Sequence, residues 1–244
     1  MSEMPSIQEK LKRVWENVDQ IFLPNDSWWN DDDKCHKIQE KLSNLNPDHE
    51  KTSEHIDRIY KVLSRGVNLT QAAIDWEHPG IGSERNLTGK ARGIQWRLVI
   101  AYSGFEITTK GLINKLEGQP NKDDFKSLIK KCQSHLPNYP PLNPPASDSS
   151  KSLEKWLTQE EKSIGKFLGL RNNDIKVIEN WIVESHPVQT WEDAVLLARA
   201  FRNCTTHGFL VPRKVQDWKL KPIFKVLTEN LAEILIAALE TIES

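Results

Sequence analysis

The chain has 244 residues, 38% hydrophobic and 27% charged, with nine tryptophans and a formal net charge of −1. That length suffices for one large domain or two small ones. The near-zero charge excludes a global field that would draw the molecule to polyanions, so any nucleic-acid binding must come from a local patch. Cys35, Cys132 and Cys204 are odd in number, far apart and in no C-x-x-C pair, which argues against a disulfide framework or structural zinc and for a reducing compartment.

Helical periodicity dominates. Ser6-Ile7-Gln8-Glu9 reads as a capping box, and Ile7, Leu11, Val14, Val18 and Ile21 continue on one face until Pro24. A polar, acidic loop with Trp28 and Trp29 follows, and a second helix is expected from Lys34 to Leu45. A third is predicted from Ser53 to Arg65 with Gly66 as its stop, and Val67 to Trp76 reads as a shorter fourth. Thr88 to Leu116 reads as one long helix, in which Gly93, Gly104 and Gly111 suit close helix–helix approach. Phe125–Cys132 adds a short helix.

Residues 137–150, rich in proline and serine, cannot continue a helix and read as a mobile extended loop. Helices are then expected at Lys151–Leu168, Asn173–Glu184, Trp191–Asn203 and Leu220–Ile242. No strand pair, internal repeat or phosphate-binding glycine loop stands out, so the expected class is all-α. The polar start Met1–Glu9 does not resemble a signal peptide. The run Leu231–Glu240 is broken by glutamates and too short to span a bilayer. A cytoplasmic protein without membrane contact is the expectation.

The chemistry concentrates in Arg202-Asn203-Cys204-Thr205-Thr206-His207-Gly208. Gly208 is a plausible terminator of the preceding helix, whose buried residues would be Trp191, Val195, Leu196, Ala198 and Phe201. Histidine suits either proton role in RNA cleavage, because its ordinary pKa of ~6.5 lies near working pH. Arginine keeps its charge and offers a fork of donors to phosphate oxygens; asparagine can orient substrate or imidazole. No carboxylate cluster suitable for Mg²⁺ accompanies them, so neither metal nor cofactor is expected. On a continuous helix Arg202 and His207 would sit about 140° out of phase. The helix must therefore end within the motif, the arginine must wrap round, or a second copy must complete the site. With ten arginines and seven histidines, a bare Arg–His spacing occurs by chance about once in such a chain; requiring Asn directly after Arg cuts that to roughly 0.02.

Arg202-Asn203-x-x-x-His207, between two helices near the end of an all-α chain, resembles the Arg-x(4–6)-His signature of the HEPN superfamily. Ala91 to Ile113 is similar to the early helix of many such domains. The resemblance covers roughly residues 88–244. It implies an HEPN-like helical bundle with extra N-terminal helices: a region 1–87 of unassigned role, then a domain 88–244 carrying the proline-rich insertion at 137–150. It also implies a homodimer whose two motifs face one cleft, and metal-independent endoribonuclease activity in a toxin–antitoxin, CRISPR or phage-defence setting. An antitoxin or other regulatory protein is then an expected partner beside RNA. Arg202 and His207 would be catalytic and Asn203 supportive. Members that have lost catalysis imply the alternative, a binding module for RNA, nucleotide or protein.

Plainer readings stand beside these. The motif could simply cap a helix, with Arg202 and His207 near the negative end of its dipole. Cys204 reads as a buried structural thiol. Glu106 could support the motif or be merely ion-paired. Arg213, Lys214, Lys219 and Lys221 interleave with Trp218 and Phe224, as an RNA track with a stacking surface or as a solvated helix start over a buried tryptophan. Trp28-Trp29 beside Asp31-Asp32-Asp33 suggests either a contact patch or packing beneath a loop, and Cys35-His36 is too isolated for a metal site.

Overall fold

A computed structural model describes residues 5–22, 31–76, 87–145, 148, 151–153, 155, 172–182, 184–208 and 210–244. The fold is all-α. Among the described residues its principal α-helices are α1 (Ile7–Phe22), α2 (Asp32–Ser43), α3 (Ser53–Asp75), α4 (Leu87–Leu112), α5 (Lys122–Lys131), α6 (Asn172–Ile182), α7 (Trp191–Thr206), α8 (Pro212–Asp217) and α9 (Lys221–Glu243). Among the described residues the only β pairing is an isolated antiparallel bridge, Leu142 with Val188, and no helix is long and apolar enough to cross a membrane. Trp28, Trp29 and most of the helix expected at Lys151–Leu168 lie outside the described residues.

Contacts divide the chain into two compact units that interleave in sequence. The first is Met1–Asp75, Ser103–Asn138 and Leu231–Ser244; the second is Trp76–Tyr102 and Tyr139–Asn230. The expected boundary at 87/88 rests on the resemblance, and α4 and α9 each contribute residues to both contact units.

In the first unit the capping box at the start of α1 is formed. The Ser6 N–H donates to Glu9 Oε2 at 2.8 Å and the Glu9 N–H to Ser6 Oγ at 3.2 Å, pairing amides that a helix start otherwise leaves to solvent. Asp31 caps α2 with a single bond, its Oδ1 accepting from the Lys34 N–H at 3.0 Å. Leu11, Val18 and Phe22 of α1 join Ile38 and Leu42 of α2, Ile59 and Leu63 of α3, and Leu239 and Ile242 of α9 in one buried core.

Gly66 does not stop α3, which runs through it to Asp75. The glycine is buried where α3 meets α4: a Cβ there would lie 2.7 Å from the Gly104 carbonyl oxygen and 2.7 Å from the Thr108 nitrogen. Gly104 repeats the geometry toward Gly66 O (2.6 Å) and Thr70 N (2.8 Å). The close approach expected at Gly104 is therefore present, and Gly66 is its counterpart. Thr70 and Thr108 turn their hydroxyls back onto Gly66 O (3.1 Å) and Gly104 O (2.9 Å), which satisfies them inside the contact. A buried histidine pair ties the chain before α3 to the end of α4: His49 Nδ1 lies 3.3 Å from His55 Nε2, and His49 Nε2 lies 3.0 Å from Leu112 O.

In the second unit the described part of the proline-rich stretch, residues 139–145, carries no helix, as expected, but it is anchored to the core where a mobile loop was expected. Tyr139 meets Trp191 edge-on at 4.9 Å and accepts a hydrogen bond from Asn230 Nδ2 at 2.9 Å. Burial pushes the Tyr139 hydroxyl up to about 12. Leu142 O accepts from Trp181 Nε1 at 3.1 Å, beside the bridge to Val188. Through the core Trp181 meets Phe201 edge-on at a centroid separation of 5.8 Å, and Phe201 meets Phe224 at a tilt at 5.0 Å.

Candidate active site

The segment Arg202–Gly208 closes α7. Thr190 starts this helix by accepting from the Asp193 N–H at 3.1 Å, and Trp191, Val195, Leu196, Ala198 and Phe201 are buried along it. The helix ends inside the motif, at Thr206. His207 is the C-cap (φ −84°, ψ 5°), its N–H on Asn203 O at 3.1 Å. Gly208 follows at φ +72°, the left-handed conformation that glycine adopts without a Cβ penalty. The His207 side chain is exposed, Arg202 and Asn203 are half-buried, and Cys204 is buried.

Arg202 is held from two sides. Its Nη1 donates to Asn203 Oδ1 at 2.9 Å, and its guanidinium carbon lies 5.7 Å from the centroid of the Tyr102 ring on α4, within cation–π range. Asn203 Nδ2 in turn donates to Asp174 Oδ2 at 2.9 Å, while Asp174 Oδ1 accepts from Arg199 Nε at 3.1 Å. Partner chemistry fixes the orientation of the Asn203 amide: a guanidinium only donates and a carboxylate only accepts. Asp174 is 1% exposed and sits in the first turn of α6, where the helix dipole favours negative charge. One carboxylate thus serves two guanidiniums, Arg199 directly and Arg202 through Asn203, and the chain Arg199–Asp174–Asn203–Arg202 carries one positive charge in excess.

α4 braces the far end of the motif as well. Gln95, 2% exposed, donates to Leu210 O at 2.6 Å and reaches Thr205 Oγ1 at 3.5 Å. Gln95 and Tyr102 are seven residues apart and so share one face of α4. That face runs along the end of α7.

The sequence did not single out Asp174, Tyr102 or Gln95. Asp174 lies 29 residues from Asn203, and locally it is an ordinary first-turn acid; no spacing rule links it to the motif. Glu106 is half-buried and belongs to the first unit, whereas the motif belongs to the second. Of the basic run, Arg213 is exposed and 3.8 Å from Asp217, Lys219 is exposed in the left-handed region (φ 55°), and Lys221 is half-buried. Lys214 lies 5.4 Å from the Trp218 ring centroid. Trp218 and Phe224 are themselves buried, Trp218 donating to Ser152 Oγ at 3.1 Å. This run is therefore a helix start over a buried tryptophan and presents cations without those two rings. Among the described residues no group of three or more His, Cys, Asp and Glu could hold a metal ion. The chain matches no family model, no curated protein and no solved structure.

Proposed function

We propose that the protein is a metal-independent endoribonuclease of HEPN type, acting as a homodimer. The observation that carries this reading is the Asp174–Asn203–Arg202 chain in the last turn of a helix whose C-cap is an exposed His207. A half-buried guanidinium with its orientation set from behind suits a scissile phosphate, since preorganised charge stabilises a phosphorane at no reorganisation cost during the reaction. The exposed imidazole of His207, five residues further on, would move the proton.

In this reading the 2′-oxygen attacks phosphorus as its proton passes to a base. The bond from phosphorus to the 5′-oxygen breaks as an acid protonates that oxygen, leaving a 2′,3′-cyclic phosphate and a 5′-hydroxyl. One imidazole per chain supplies one of the two proton roles at a time, which favours two motifs facing one cleft. The Arg213, Lys214, Lys219 and Lys221 cations that follow the motif would contribute to holding the RNA backbone. Cytoplasmic RNA and a regulatory protein partner belong to the same reading.

The test uses purified full-length protein, end-labelled single-stranded RNA and EDTA. Cleavage to 2′,3′-cyclic ends is expected, and Arg202→Ala or His207→Ala should each lower it by about 10²-fold or more with folding intact. Mixing the two variants should restore part of the activity if motifs from two subunits form one site. Cleavage that survives in both variants would remove the assignment. If instead the wild type forms a dimer and binds RNA without turnover, the molecule is a binding module built on the same motif.

A further inference from the structure

α4 carries an RNA-stacking platform beside the motif, built on Trp96 and Arg92; we propose this on the ribonuclease reading of Arg202 and His207. Only three large hydrophobic side chains stand exposed among the described residues: Leu87, Trp96 (43%) and Val211 (43%). Two of the three are immediate neighbours of one hydrogen bond, Gln95 to Leu210 O at 2.6 Å. Gln95 also reaches Thr205, and the Arg202 guanidinium lies over Tyr102, so the Gln95–Tyr102 face of α4 abuts the end of α7 on which His207 sits. At about 100° per residue, Arg92 lies about 60° and Trp96 about 100° round the helix from Gln95, on the same flank. Both are exposed, so a ring and a guanidinium share the flank of α4 next to the face that meets the end of α7.

Charge favours RNA as the occupant. Between Leu87 and Tyr102 the chain holds Lys90, Arg92 and Arg97 and no acidic residue, in a protein whose net charge is −1. Arg92 forms no ion pair among the described residues. An exposed ring beside an unpaired guanidinium such as that of Arg92 binds single strands by stacking bases while pairing phosphates. The basic run after the motif cannot supply such a surface, because Trp218 and Phe224 are buried. A duplex keeps its bases stacked internally and gains nothing from the Trp96 ring, so the platform should select single strands.

The experiment measures binding of a fluorescent single-stranded 12-mer and of its duplex to full-length protein carrying His207→Ala, which keeps the RNA intact. Adding Trp96→Ala should weaken single-strand binding roughly tenfold or more, and Trp96→Phe should retain most of it. Arg92→Gln should weaken binding and flatten its salt dependence. Duplex affinity should change little with Trp96→Ala. Single-strand affinity unchanged in Trp96→Ala, or no binding at low salt, overturns the platform. A loss that appears only because Trp96→Ala converts dimer to monomer in sedimentation overturns it too, since Trp96 would then meet protein. Cleavage by the His207 wild type is scored separately, so loss of the catalytic reading and loss of the platform are distinguishable.

Discussion

Asn203 occupies a position whose chemistry few side chains can meet. It must accept from the Arg202 guanidinium at one end and donate to the Asp174 carboxylate at the other, and a primary amide does both. Asn203→Asp keeps the size and removes the donor, setting two carboxylates about a hydrogen-bond length apart in a half-buried place. The expected cost is about 2 kcal/mol of unfolding free energy, larger than for Asn203→Ala, which loses the bonds without adding repulsion. Denaturant unfolding at pH 7.5 measures both, and the Asn203→Asp deficit should shrink as pH falls and one carboxyl protonates. A Asn203→Asp variant as stable as the wild type would contradict this account of how Arg202 is held. Asp174→Asn also strips the counter-ion from Arg199 and should be costlier still, about 3 kcal/mol, as expected when one member of a buried ion pair is removed.

Helix α3 and helix α4 meet through two Gly-x-x-x-Thr stretches, Gly66 to Thr70 and Gly104 to Thr108, each glycine lying against the other helix's backbone. Alanine ordinarily stabilises a helix over glycine by about 1 kcal/mol. Here its methyl would meet a carbonyl oxygen and an amide nitrogen that cannot swing aside, so the helices must move apart. Gly66→Ala and Gly104→Ala should therefore lose about 1–3 kcal/mol net, the usual range for overpacking. Gly111→Ala is the control: its Cβ would meet Leu63 Cδ2 at 3.0 Å, a side-chain tip that can rotate, and near-neutral stability is expected. Thermal unfolding followed by circular dichroism separates the three; equal stability of the Gly66 and Gly111 variants would remove the argument.

Over the whole molecule, the pH dependence of stability should carry the mark of the His49–His55 pair. A carbonyl only accepts, so His49 Nε2 holds the proton toward Leu112 O; His49 Nδ1 then accepts, and His55 Nε2 donates. Both rings are neutral in this arrangement, and burial holds both below the ordinary histidine value of 6.5. Asp48 and Glu50 oppose that shift, whereas Lys131 and Arg58 add to it. The unfolded chain therefore takes up protons first as pH falls. The pair's contribution is whole above about pH 6.5 and declines as pH drops through that value, by up to about 1.4 kcal/mol per pH unit for each ring. The unfolding midpoint should fall between pH 7.5 and 5.5, and His49→Gln with His55→Gln should make the fall shallower. A slope unaltered in the double variant would show that other groups govern it.

The all-α class, the Ser6–Glu9 capping box, the tight contact at Gly104 and the helix end at Gly208 were all legible in the sequence. Each is local: a period, a capping side chain or a missing Cβ acts within about one helical turn. The sequence also located the Arg202–His207 segment and its out-of-phase geometry, which the helix end at Thr206 now qualifies. Tertiary structure alone decided that Gly66 continues a helix, that Trp218 is buried while Trp96 is exposed, and that Asp174 stands behind Asn203. A glycine's local preference is worth about 1 kcal/mol, and burial of a large apolar side chain about 1.5–3 kcal/mol. Packing by distant segments therefore decides between such local alternatives, and neither the packing nor the polar partner it brings leaves a periodic trace in the chain.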